Sequence, residues 1–188
     1  LQPVDIKGSW NTDTGAVGLD VECKDLYPFS FANYSKDKSF FTSLKDVRMT
    51  GGGSFNFFNK DNFSWYSRFD VNVPEVSIKG VTYKKNVVRL DAEGDNAAIK
   101  VNNLSADGEG IKARLLGTYK IKEVLPDFKL NIARLRVSKE HYLSANVGIY
   151  SDLKHIYAYI PELSAGNALI KDVKTIFSKK EKKTDFSV

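Results

Sequence analysis

The side chains best suited to metal binding or nucleophilic chemistry are two histidines, His141 and His155, and a single cysteine, Cys23. Neither histidine belongs to an H-E-x-x-H segment, the two are not paired at helical spacing, and no second cysteine completes a ligand set. A transition-metal centre is therefore not expected. Serine nucleophiles on α/β folds sit in a G-x-S-x-G elbow, and the chain has none. Carboxylates are plentiful, but nothing in their spacing singles out a glycosidase-type pair. The triplet Gly51-Gly52-Gly53 would need a following helix and a G-K-[ST] ending to cradle phosphate. The next residues are Ser54-Phe55-Asn56-Phe57-Phe58, which alternate like a strand, so a turn or bulge is expected there. Cys23 closes the alternation Val17, Leu19, Val21, Cys23 and reads as an inward-facing structural thiol. The expectation is a non-enzymatic domain with no catalytic residue, no metal and no cofactor.

Charge removes another class of function. Lys and Arg total 28 against 23 Asp and Glu, for a net charge of +5 and a pI near 9.1. The cations are scattered, and the one run, Lys179-Lys180-Glu181-Lys182-Lys183, is interrupted by an acid. A phosphate-binding surface needs cations clustered on one face, so nucleic acid is not the expected partner. The aromatic supply is more telling: 12 Phe, 9 Tyr and 2 Trp. Aromatics fill cores, and a surplus can line an apolar cavity in which a few tyrosine hydroxyls orient a hydrophobic ligand.

The elements that would position such a cavity are set by periodicity. At 188 residues and 42% hydrophobic, the chain suits one globular domain. No apolar run approaches the ~20 residues of a transmembrane helix. With Leu1 at its start, a processed or excised chain is the expectation, and sequons at Asn33, Asn62 and Asn103 are compatible with secretion. Residues 1–16 read as an opening strand and turn, 17–23 as a strand, and 24–40 as a loop or short helix carrying aromatics. From 64 to 160 apolar residues recur with period two: Phe69, Val71, Val73; Val76, Ile78; Ile99, Val101; Phe128, Leu130, Ile132; Leu135, Val137; Ala145, Val147, Ile149. Turn signals at 84–86, 93–96 and 107–110 make this an antiparallel meander.

Near the end the spacing changes. Leu169, Ile170, Val173, Ile176 and Phe177 fall at i, i+1, i+4, i+7 and i+8, one stripe of an α-helix, with Ser164 or Asn167 able to cap its start. The expected fold is α+β: a long, strongly curved antiparallel sheet wrapped around a C-terminal amphipathic helix. It spans 1–178, with 179–188 as a basic flexible tail.

An ordered series of stretches resembles the takeout and juvenile-hormone-binding proteins, a family with the tubular lipid-binding fold. Leu1-Gln2-Pro3-Val4-Asp5-Ile6 is similar to the family's L-x-P-L-x-I stretch. Val73-Pro74-Glu75-Val76-Ser77-Ile78-Lys79-Gly80 with Tyr83 resembles its P-x-L-x-L-x-G-x-Y strand. The stretch from Glu93 to Leu104 resembles G-x-G-x-A-x-I-x-L-x-N-V. Tyr142-Leu143, Asp152 to Ile156, and Glu162 to Asn167 with Leu169 and Val173 resemble its closing strand and helix. The resemblance covers about residues 48–178. It implies a secreted carrier of a terpenoid, fatty acid or pigment in an internal tunnel. Gly8-Ser9-Trp10, Gly18-Leu19-Asp20-Val21 and Asp25-Leu26 also resemble bacterial envelope proteins of the AsmA and TamB type, which implies an open lipid groove in the periplasm, this chain being an excised segment. A structural or adhesion β-domain with a solid core is the third alternative.

On the carrier reading, the lining is Phe69, Val71, Val73, Val76, Ile78, Ile99, Val101, Phe128, Leu130 and Ile132. Leu169, Val173 and Phe177 form the opposite wall, and Tyr83, Tyr119 and Tyr142 are polar contacts. The expected partner is a small hydrophobic ligand, with membrane contact only transient. Val73→Asp should abolish binding of a fluorescent fatty-acid analogue, whereas Lys100→Glu should leave it unchanged; equal binding by Val73→Asp and the unmutated protein would remove Val73 from the lining.

Overall fold

The computed structural model describes residues 4–30, 46–59, 62–78, 80–180 and 183–187. These residues form one antiparallel sheet of 12 strands in which each strand pairs with its sequence neighbours, in the order β1 to β12. The strands are β1 Val4–Trp10, β2 Val17–Leu26, β3 Arg48–Asn59, β4 Asn62–Ile78, β5 Val81–Asp95 and β6 Ala98–Glu109. They continue with β7 Ile111–Lys120, β8 Leu125–Arg136, β9 Tyr142–Ser151, β10 His155–Ala165, β11 Ala168–Ser178 and β12 Lys183–Ser187. The sheet is open, with β1 and β12 at its two edges.

The meander is built on short turns with local chemistry. Between β1 and β2, the Asn11 carboxamide oxygen accepts from the backbone of Asp13 and Thr14, both at 3.0 Å, and Gly15 takes φ 71°. Between β5 and β6, Asp95 accepts from Ala97 and Ala98 in the same way, at 2.7 and 2.8 Å. Such Asx turns reverse the chain within a few residues, which permits only antiparallel neighbours.

The expected C-terminal helix is absent, and the fold is all-β rather than α+β: residues 168–178 form β11, paired with both β10 and β12. Gly166 and Asn167, the latter expected as a helix cap, make the two-residue hairpin loop that joins Ala165 to Ala168, with Gly166 at φ 58°. Gly-Asn is hairpin chemistry. The helical spacing comes from a backbone irregularity that β11 shares with β10. Asp172 has φ 57°, the β10–β11 register runs unshifted from Ile170↔Leu163 to Val173↔Ile160, and it is the β9–β10 register that shifts, between Tyr159 and Leu163. Ile170, Val173 and Phe177 thus share one face although two of them are three residues apart, while Leu169 and Ile176 fall on the other.

Two further expectations change. Gly51-Gly52-Gly53 lies inside β3, and Lys84-Lys85-Asn86 lies inside β5, where Lys85 at φ 51° marks a bulge and not a turn. Residues 183–187 form an edge strand where a free tail was expected. Of the stretch 24–40, residues 24–26 complete β2 and Pro28–Ser30 make a short helical turn; 31–45 lie outside the described residues.

The core is thin. Among the described residues the buried apolar side chains are Cys23, Leu26, Val47, Tyr83, Ala92, Ala145 and Val173, and no large side chain is fully buried. The chain of 21.1 kDa exposes 13025 Å², whereas a compact monomer of that mass exposes about 9,000 Å². A single sheet layer leaves both faces open to the surroundings.

Three glycines let the sheet bend. Gly51 lies opposite Phe69, Gly117 opposite Phe128 and Gly94 opposite Trp65. A Cβ at Gly117 would strike the Asp127 carbonyl oxygen and the Phe128 ring, and one at Gly51 would strike their counterparts in Arg68 and Phe69. Both also have φ near +150°, at 149° for Gly51 and 148° for Gly117. The facing ring occupies the space a side chain would fill, so each pair curves the sheet without leaving a gap. Gly117→Ala should lower stability by about 1–3 kcal/mol in urea unfolding. Gly148→Ala, whose added carbon meets nothing nearer than 3.9 Å, should change it by no more than about 0.5 kcal/mol.

Candidate functional site: the apolar face of the sheet

Register sorts the side chains onto two faces. One row runs Leu26, Met49, Val71, Val88, Ala106, Ala113, Ile132, Ala145, Leu163, Ile170 from β2 to β11, each residue paired with the next. A second runs Phe69, Leu90, Leu104, Leu115, Leu130, Val147 from β4 to β9. A third passes through Ile6, Val21, Gly53, Ser67, Ala92, Val101, Gly117, Phe128, Ile149 and Ala158. At about 4.8 Å between strands, an apolar surface from β1 to β11 extends roughly 50 Å across the sheet. Most of its central side chains are half-buried, shielded sideways by cross-strand neighbours.

Eleven of the residues expected to line a cavity lie together on this face: Phe69, Val71, Val73, Ile99, Val101, Tyr119, Phe128, Leu130, Ile132, Val173 and Phe177. Val173 and Phe177 extend the same surface instead of forming an opposite wall. Beyond Pro74 the bulge at Lys85, where the β5–β6 register shifts between Lys84 and Val87, returns Val76 and Ile78, paired with Tyr83 and Val81, to this side of the sheet at the end of their hairpin. The Tyr83 hydroxyl donates to the Arg136 carbonyl at 2.7 Å, which ties down the end of the sheet and leaves no free group for a ligand. Leu169 pairs with Ser164 on the polar face and is 54% exposed. Tyr142 also lies off the apolar face: its hydroxyl accepts from Arg136, and the Arg134 and Arg136 guanidinium groups sit 5.7 and 5.5 Å from its ring centre.

Sequence reasoning missed Leu90, Leu104, Leu115, Leu163 and Trp65, which belong to the same surface. The reason is visible at Asn102-Asn103: the register slips between Val101 and Leu104. A bulge carries Leu104 back to the face that simple alternation denies it. The Asn pair between two alternating runs was the available signal.

The opposite face is polar and charge-paired. Arg68 meets Asp91 at 3.4 Å, Arg89 meets Asp70 at 3.9 Å and Lys100 meets Glu93 at 2.8 Å. A broad open concavity of about 1430 Å³ on this face is lined by Tyr66, Arg68, Asp70, Arg89, Asp91 and Arg114, among others. Exposed pairs of this kind contribute little to stability. Their carboxylates are engaged by cations, so none of them stands as a free acid or base.

The densest group of titratable side chains is at the β9–β10 turn. Asp152 accepts from the backbone of His155 at 2.6 Å and Lys154 at 2.7 Å, and from the Tyr157 hydroxyl at 2.9 Å. The His155 ring nitrogen is 3.6 Å away, and Tyr150 stacks on Tyr157 with ring centres 5.0 Å apart. The backbone N–H groups, chiefly, hold the Asp152 carboxyl down at about 2. Both its oxygens are occupied, so it closes a turn. His141 bonds Ser138 across 2.9 Å in the preceding turn. Burial pushes the Cys23 thiol up, and it points at the Met49 carbonyl, 3.9 Å away; it is not an activated nucleophile. Among the described residues no three His, Cys, Asp or Glu side chains group to hold a metal.

No family model, curated protein or solved structure matches the chain.

Because its folded-state value lies below the ordinary 3.8, Asp152 contributes stability that is present above pH 4 and lost as pH falls towards 2. The urea midpoint of Asp152→Asn should lie below that of the unmutated protein at pH 7, and the two should converge by pH 2. A gap that stayed constant across this range would show that the carboxylate charge does not stabilise the turn.

Proposed function

We propose that this chain is a non-enzymatic lipid-binding domain that holds acyl chains or other hydrophobic ligands along the open apolar face of its sheet. The observation that carries this is the set of predominantly apolar rows that together run from β1 to β11, with no layer across them among the described residues. Monomeric proteins rarely expose contiguous apolar surface beyond a few hundred Å², and larger expanses mark lipid or partner contact. A tunnel carrier would need the helix as its far wall, and those residues are strand β11. The open lipid groove implied by the AsmA- and TamB-type resemblance suits the sheet better. The reading carries with it a periplasmic or extracellular location and transient membrane contact while lipid is exchanged.

The energetics are adequate. Covering about 300 Å² of apolar ligand surface contributes several kcal/mol at ~25 cal/mol per Å², before the entropy of immobilising the ligand is subtracted. The polar face, with its ion pairs, keeps water on its side, so ligand is confined to the other.

Leu130→Asp, at the centre of the second row, should weaken binding of a fluorescent fatty-acid analogue at least about tenfold. Lys129→Glu, one residue away on the polar face, should leave it within about twofold. Circular dichroism of both variants checks that the sheet persists. Equal binding by the two variants would rule out the apolar face. Native mass spectrometry with organic extraction of the purified protein identifies the ligand class.

A further inference from the structure

We propose that two copies of this chain join edge to edge through β1, centred on Ile6, to form one continuous sheet. All seven residues of β1 are exposed, with Ile6 at 62% and Trp10 at 72%. No described strand pairs with its outer edge. An edge strand presents unpaired N–H and C=O groups, and proteins usually blunt such an edge with proline, bulges or clustered lysines. Strand β1 has no proline, pairs with β2 without a bulge, and carries one lysine, Lys7.

The charges select the occupant. Asp5 lies opposite Glu22 in the β1–β2 register, a like-charge pair, and Lys7 lies opposite Asp20. Neither Asp5 nor Lys7 has an ion-pair partner among the described residues. In an antiparallel pair of β1 strands with Ile6 facing its own copy, Asp5 faces Lys7 of the second chain and Lys7 faces its Asp5. Each Asp5 then gains a directly facing cation, where its own sheet sets Glu22 opposite it. Val4 faces the glycine at position 8 of the second copy. A register centred on Lys7 would set two lysines face to face, so the charges favour the Ile6 register. The two-fold axis stands perpendicular to the sheet, and the contact is isologous and closes at two copies. Both apolar faces then lie on the same side, and the Ile6, Val21 row runs on into the partner. The inference does not depend on the lipid reading, which concerns the face and not the edge.

Sedimentation equilibrium in a non-ionic maltoside detergent, which covers the apolar face, tests it. The unmutated chain should be a monomer–dimer system. Asp5→Lys and Lys7→Asp should each weaken the dimer at least about tenfold, because each sets like charges opposite one another twice. The double variant should restore it, and an equimolar mixture of the two single variants should form heterodimers. Leu130→Asp should dimerise normally whether or not lipid binds the face. A monomer at all concentrations, a double variant as weak as the singles, or an open-ended series of oligomers (β1 adding to β12) would each overturn the proposal.

Discussion

From β1 to β11 the strands of this sheet hold their apolar side chains in register with those of their neighbours, and that lateral contact takes the place of a second layer. In a sandwich, side chains are buried from above by an opposing sheet. Here they are shielded from the side, by the residue facing them on the next strand and by diagonal neighbours. Burial therefore stays partial across the central strands, and the few buried apolar residues sit where bulges or small side chains let neighbours close over them, as at Ala92 and Ala145. A slip of one residue in any strand would turn its apolar set to the polar face and break rows on both sides.

That constraint explains the bulges. An alternation interrupted by Asn102-Asn103, by Lys84-Lys85 or at Asp172 would lose phase with its neighbours unless the backbone absorbed a residue. At each of these places the register shifts or φ turns positive. Glycine–aromatic pairs solve a related problem. A sheet this wide must twist and bend, and Gly51, Gly94 and Gly117 allow close approach while Phe69, Trp65 and Phe128 restore the lost apolar contact.

The result is two faces of opposite character. The polar side is neutralised locally by ion pairs, and its titratable groups serve turns and cross-strand contacts. The apolar side is long and continuous, and its chemistry is that of surface area, with no convergent polar groups. A hydrophobic ligand spread along it gains area row by row. The same architecture leaves the two edges as the places where a further strand can add.

Much of this was legible in the residues. Period-two alternation from Phe69 to Ile149, with short polar turns, specified an antiparallel meander, and most of the sixteen residues expected to meet a ligand share one face. Local sequence determined strand, turn and face, because side-chain direction alternates with the backbone itself. What only the tertiary structure decided was phase and closure. Whether Leu104 or Leu169 joins the apolar face depends on a bulge, which is set by the neighbouring strand's register and not by spacing along the chain. The irregularity at Asp172, which follows the shift of β10 against β9, made a strand imitate a helix. Closure was likewise beyond local pattern: a sheet of this composition can curl around a helix or remain open, and it remains open here because the segment that would have filled it hydrogen-bonds into the sheet as β11.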